Sequence, residues 1–256
     1  MGYSERGLVN SLFYEIRYSQ NNLQLLDGFL SLVSYPYFNI HFRIRNAKIL
    51  IEESFSDFGD ADSVLLIDNN GSKQSVFIEA KVKTFQRQSW SIEEEFRTFE
   101  EGIEQNRASS SNLFVQLYHK VRLNKALQNG GTALLQKGIR FPECSSKAIR
   151  KIGDNEVVLK AVEMLRQYCN DAFFVALVPD DISKVKDFYQ STLKNYNPGF
   201  QEWDVKNWGC ISWAEVEDFC KKYGLQETQK VFKFNEGQIY ARARALRKER
   251  EMRMHS

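Results

Sequence analysis

Residues 58–68 read FGDADSVLLID, and residues 75–83 read SVFIEAKVK. Each segment carries a run of β-branched and other apolar residues, which predicts strands over 62–68 and 75–82. The residues between them, Asn69-Asn70-Gly71-Ser72, are typical of a tight hairpin turn. An antiparallel hairpin brings Asp62, at the start of the first strand, beside Glu79 near the end of the second.

Strand alternation places Glu79 and Lys81 on the same face, so the hairpin gathers two carboxylates and one ammonium group. Two close carboxylates repel each other, and a divalent cation with hard oxygen ligands relieves that repulsion. The pattern therefore predicts a site for magnesium, or manganese in its place, held by Asp62, Glu79 and the backbone carbonyl of Ala80. Lys81 is expected to hold or activate a water molecule, which suits phosphodiester hydrolysis.

The remaining elements predict an α/β protein with a mixed central β-sheet flanked by helices, in a single domain. Residues 129–154 are harder to interpret and are treated as an insertion. The expected helices and strands outside the hairpin are helix 4–18, strand 47–53, helices starting at 91 and spanning 112–128 and 156–169, strand 172–178, helix 181–195, strand 208–212 and helix 213–222.

Asp62 followed by Glu79-Ala80-Lys81 resembles the motif of the PD-(D/E)XK nuclease superfamily, with Ala61 in place of the motif's proline. The element order over about residues 4–180 is similar to the core of that superfamily, and residues 196–256 form an extension. The resemblance implies a restriction-endonuclease-like fold and a magnesium-dependent endo- or exonuclease. It also implies DNA as the substrate, a role in defence or repair, and dimers or larger complexes among relatives.

The same resemblance suggests two further site residues, Glu5 on the first helix and Gln116 on a later one. Each also has an ordinary interpretation, as a favourable first-turn charge for Glu5 and as a surface amide for Gln116. Asp60 is the alternative to Asp62 as a metal ligand. Glu79 and Lys81 could instead form an ion pair on a solvated strand face.

Two other segments contain parts of the motif. Asp204-Val205-Lys206 has the acidic-x-Lys spacing but lacks an apolar strand before it, so it is interpreted as a surface turn. Pro179-Asp180 follows the main motif and is interpreted as a helix start. The basic C-terminal segment is a candidate phosphate-binding surface or a solvated helix; its residues are Arg242, Arg244, Arg247, Lys248, Arg250 and Arg253.

Composition excludes several classes of protein. The 256 residues carry a net charge of +2, which does not mark a strongly basic nucleic-acid binder. No apolar run reaches membrane-helix length and no signal peptide is evident. Four cysteines without a C-x-x-C pair indicate reduced thiols and a cytoplasmic location, and three histidines disfavour a multi-histidine metal centre.

Two other functions stay open at this stage. A non-catalytic module could keep this fold and bind nucleic acid or a partner protein. A hydrolase of small phosphate compounds is the other alternative, although the sequence has no glycine-rich phosphate loop.

Overall fold

The computed structural model describes residues 5–83, 90–141, 148–200, 202–235 and 239. Its centre is a mixed five-stranded sheet, which confirms the predicted fold class. The strands in the described ranges, in chain order, are β1 (Ile44–Ser54), β2 (Asp60–Asn69), β3 (Ser72–Ala80), β4 (Ile139–Arg140), β5 (Ile149–Arg150), β6 (Asp171–Val178) and β7 (Trp208–Ser212).

The sheet has the strand order β1-β2-β3-β6-β7, while β4 and β5 form a separate antiparallel hairpin. Strands β1, β2 and β3 pair antiparallel, and β3, β6 and β7 pair parallel. Parallel neighbours need a long crossover, and three helices between β3 and β6 supply it. The helices are α1 (Glu5–Tyr18), α2 (Asn22–Leu30), α3 (Ile92–Glu104), α4 (Leu113–Lys137), α5 (Glu156–Arg166), α6 (Ile182–Ser191), α7 (Trp213–Tyr223) and α8 (Gln226–Phe234).

Both faces of the sheet are covered, so the protein has three layers. On one face Val64 and Phe77 pack with α3, α4, α5 and α6. On the other face Leu65 and Ile78 pack with α1, α2, α7 and α8. This arrangement explains the near-continuous apolar sequences of β2, β3 and β6, because both faces of each strand are buried.

The β2–β3 hairpin has the predicted geometry. Ser63 pairs with Ile78, and Asn69 pairs with Ser72 across the turn. Asn70 and Gly71 have φ values of 54° and 93°. Positive φ at both central residues matches the twist of the strands, which is why Asn-Gly is favoured there.

Several element boundaries differ from the prediction. Helix α4 continues to Lys137 instead of ending at 128, and it crosses a break at Gly131, where φ is 62°. Because the φ and ψ of Gly131 are non-helical, two helical segments meet there, and the first ends close to the predicted residue 128. Helices α2 and α8 were not predicted, and part of the supposed insertion is the small β4–β5 hairpin.

Within the described ranges, no helix has the length and apolar character needed to cross a lipid bilayer.

Candidate active site

The two predicted carboxylates meet on the face of the sheet that α4 covers. Ser63 pairs with Ile78, and the same antiparallel register continued by one residue places Asp62 opposite Glu79. Asp62 Oδ2 accepts a 2.7 Å hydrogen bond from the backbone N–H of Ala80, which joins the two strands at their site end. Burial raises the pKa of Asp62, while this hydrogen bond and the nearby lysines lower it.

Glu79 is fully buried, which rules out the solvated strand face considered from the sequence. Its Oε2 has no hydrogen-bond partner among the described residues. Burial raises the pKa of Glu79 to about 7, against the attraction of Lys120 and Lys81. A buried carboxylate is costly unless it is paired or binds a metal ion, and a perturbed pKa of this kind is typical of candidate functional sites.

Lys81 lies just beyond the end of β3, in contact with two of the predicted residues. Its ammonium group donates a hydrogen bond to Gln116 Oε1 and lies 3.9 Å from Glu5 Oε1. The side chain is about nine-tenths buried. Gln116 therefore lies in the site and is not a surface amide.

The backbone of Lys81 is fixed on both sides. Its N–H donates to the carbonyl of Leu177 in β6 at 2.8 Å. Its carbonyl accepts a 2.8 Å hydrogen bond from Trp213 Nε1, at the start of α7. The lysine is thus held by neighbouring elements even though the strand has ended.

Glu5 is the first residue of α1 and reaches the site from the opposite layer. Burial raises the pKa of Glu5 to about 7, Lys81 lowers it, and the charges of Asp62 and Glu79 raise it. The carboxylate is therefore a member of the cluster, which the first-turn interpretation does not account for. Its contact with Lys81 gives the cluster three acidic groups.

The structure also brings in Lys120, which sequence reasoning missed. Its ammonium group lies 3.2 Å from Glu79 Oε1, and both side chains are fully buried. The signal in the sequence was its spacing: Lys120 is four residues after Gln116, so the two share a face of α4.

Lys120 also fixes the turn that leads into β2. Its ammonium group donates to the carbonyls of Phe58, Gly59 and Asp60, at 2.9, 3.2 and 3.2 Å. Gly59 has a φ of 79°, a conformation that glycine adopts without strain. One lysine thus sets the position of Glu79 and of the strand start that carries Asp62.

The β4–β5 hairpin holds the same turn from the other side. The backbone N–H of Asp57 donates to the carbonyl of Lys151 at 3.2 Å, and Asp57 Oδ2 accepts from the backbone N–H of Lys151 at 3.2 Å. The backbone N–H of Gly153 donates to Ser56 Oγ at 2.9 Å. The segment without an assigned role in the sequence is therefore attached to the site.

A buried histidine lies beside these groups. His119 packs its ring edge-on against Phe141, with ring centres 5.3 Å apart. Burial lowers the pKa of His119 well below its usual value, and the positive charges of Arg150, Lys120 and Arg122 lower it further. The imidazole is therefore neutral at physiological pH.

The alternative positions lie away from this cluster. Asp60 is half exposed and forms an ion pair with Arg6 at 3.5 Å, so it is Asp62 that lies beside Glu79. Asp204 is exposed and accepts from the backbone N–H of Lys206 at 3.0 Å, as in a surface turn. Asp180 accepts from the backbone N–H of Ile92 at 3.2 Å, at the start of α3.

The C-terminal basic residues lie outside the described residues: Arg242, Arg244, Arg247, Lys248, Arg250 and Arg253.

In the described part of the chain, no potential metal position is surrounded by three or more His, Cys, Asp or Glu side chains. The candidate cation ligands from the sequence are fewer: two carboxylates, Asp62 and Glu79, and the Ala80 carbonyl. Magnesium commonly binds through one or two carboxylates and keeps several waters, so this donor set suits it. The unpartnered Oε2 of Glu79 is the observation that favours such a ligand.

Comparisons with protein-family models, with curated proteins and with solved structures found no match to this chain.

Proposed function

We propose that this protein is a metal-dependent nuclease that hydrolyses phosphodiester bonds in nucleic acids, with DNA as the favoured substrate. The observation that carries the proposal is the buried Glu79 with an unpartnered oxygen, next to Asp62 and close to Lys81. The similarity of these residues to the PD-(D/E)XK motif favours nucleic acid over other phosphate esters.

Each residue has a distinct part in this proposal. Asp62, Glu79 and the Ala80 carbonyl would hold Mg²⁺ or Mn²⁺. The bound cation would neutralise charge on a phosphoryl oxygen and lower the pKa of a coordinated water. Lys81 would orient the attacking water and stabilise negative charge that develops on the phosphate. Gln116 and Glu5 would hold the Lys81 ammonium group in place.

The test is a cleavage assay on linear, circular and single-stranded DNA and on RNA, with Mg²⁺, Mn²⁺ or EDTA. We expect metal-dependent cleavage that Glu79→Gln and Lys81→Met abolish. Lys206→Met is the matched control, because Lys206 has the same acidic-x-Lys spacing in an exposed turn. Equal cleavage by wild type and Lys81→Met would contradict the assignment.

A second candidate function is a non-catalytic module that binds nucleic acid or a protein. The observation that favours it is Lys120, because this internal cation already offsets the charge of Glu79 without a metal. Folded wild-type protein that binds DNA equally in Mg²⁺ and EDTA, without cleavage, would support this module. Cleavage of a dinucleotide or nucleotide alone would instead support the small-phosphate hydrolase.

A further inference from the structure

We propose that the site takes a single divalent cation, because Lys120 occupies the position of a second one. This inference rests on the proposed metal-dependent function and adds the stoichiometry of the site. Lys120 then acts as a positioning residue, since it touches Glu79 and the strand turn but not the reacting atoms.

Each of the two candidate carboxylates already has one oxygen in contact with a donor. In two-metal sites the ions lie about 3.5–4 Å apart and carboxylates commonly bridge them. Here Glu79 Oε1 faces the Lys120 ammonium group at 3.2 Å, and Asp62 Oδ2 accepts from the backbone N–H of Ala80. One oxygen of each carboxylate is therefore already engaged, and bridging by either residue would break an existing contact.

The Lys120 ammonium group is held by oxygen atoms on several sides. Besides Glu79, it has three backbone carbonyls within hydrogen-bond distance, those of Phe58, Gly59 and Asp60. A cation surrounded by four oxygens has the environment that a metal ion would otherwise need. Because these partners fix its position, Lys120 cannot move aside for a second ion without losing them.

The formal charge of the cluster also favours one divalent cation over two. The three carboxyl groups of Glu5, Asp62 and Glu79 lie with the two ammonium groups of Lys81 and Lys120, which leaves one formal negative charge. One divalent cation makes the site singly positive, which a phosphodiester balances. Two divalent cations would leave a strong excess of positive charge in a buried site, and such an excess is unfavourable.

The experiment measures Mn²⁺ binding to the full chain by calorimetry and by electron paramagnetic resonance, without DNA. We expect one Mn²⁺ per wild-type chain and at least a tenfold loss of affinity in Glu79→Gln. In Lys120→Met the freed Oε1 should admit a second, weaker Mn²⁺. Lys137→Met, at the exposed end of α4, is the control and should keep one.

The outcomes separate this inference from the proposed function. Two Glu79-dependent Mn²⁺ ions on the wild type, or none, would overturn it, and so would a folded Lys120→Met variant that still binds only one. If Lys120→Met fails to fold, the wild-type stoichiometry decides the question. One bound Mn²⁺ without cleavage of any substrate would refute the nuclease and support the single-cation site.

Discussion

The Lys120 ammonium group lies 3.2 Å from Glu79 Oε1, with both side chains fully buried. Burying two charges has a large desolvation cost, and a single ion pair rarely recovers it. The three backbone carbonyls around Lys120 reduce the desolvation cost of the ammonium group. Glu79 Oε2, in contrast, lacks a hydrogen-bond partner among the described residues. The cost of burying the pair is therefore only partly offset by its contacts.

The first prediction concerns the coupling of this pair. At pH 8 we expect Lys120→Met to lower the free energy of unfolding by about 3–5 kcal/mol, because Glu79 loses its buried partner and must either stay charged or take up a proton from solution. Glu79→Gln in the same chain should recover part of the loss, with a coupling of about 0.5–3 kcal/mol. Urea unfolding of the wild type, both single variants and the double variant measures it.

Lys137→Met serves as the control for that cycle, since an exposed lysine should change stability by less than about 0.5 kcal/mol. Losses from Lys120→Met and Glu79→Gln that simply add up would show that the two groups do not stabilise each other.

A second prediction concerns how Lys81 is held. Gln116→Met removes the oxygen that accepts from the Lys81 ammonium group. We expect a roughly ten- to hundredfold fall in kcat, because a small displacement of a reacting group is costly, with little change in Mn²⁺ affinity. Steady-state cleavage kinetics and Mn²⁺ titration separate the two effects.

Two further variants control the Gln116 experiment. Gln116→Glu keeps an oxygen at the same reach and should retain more activity than Gln116→Met. Gln128→Met lies on the same helix, where Gln128 donates to the carbonyl of Cys169 at 2.6 Å, away from the site. A Gln128→Met variant as impaired in cleavage as Gln116→Met would point to a general effect on the helix.

The sequence predicted the hairpin and the mixed sheet because their signals are local: apolar runs, an Asn-Gly turn and alternation along a strand. It did not predict Lys120, since its partners Phe58 and Glu79 are distant in the chain and meet it only after α4 packs on the sheet. The burial of Glu79 was missed for the same reason. Alternation predicts which residues share a face, but not whether a helix covers that face.

A third prediction tests the anchor of the Lys81 backbone. Trp213→Phe keeps most of the ring but leaves the Lys81 carbonyl without its 2.8 Å donor. We expect it to lower the free energy of unfolding by about 1–3 kcal/mol more than Trp208→Phe does, and to reduce cleavage. Trp208 is equally buried, and its Nε1 has no hydrogen-bond partner within the described ranges. The measurements are denaturant unfolding and cleavage rates of the two variants. Equal effects would contradict a role for the hydrogen bond from Trp213 to the Lys81 carbonyl.

The last prediction concerns pH and His119. Because its pKa is lowered by burial and by Arg150, Lys120 and Arg122, the folded protein keeps His119 neutral while the unfolded chain takes up a proton. Wild-type stability should therefore decrease, relative to a His119→Phe variant, as pH falls below about 6.5, by up to about 1.4 kcal/mol per pH unit. Above that pH the difference between the two proteins should be constant.

The comparison with His119→Phe is needed because Glu5 and Glu79 act in the opposite direction. Their pKa values, raised to about 7, let the folded protein hold protons that the unfolded chain releases, so their contribution to stability decreases as pH rises from about 4.5 to 7. This contribution is common to wild type and variant and cancels in the difference. Urea unfolding at pH 5.5, 6.0, 6.5, 7.5 and 8.0, with His41→Gln as the control for a more exposed histidine, measures that difference. A difference independent of pH across this range would mean that His119 takes up a proton as readily in the folded protein as in the unfolded chain, and would contradict the prediction.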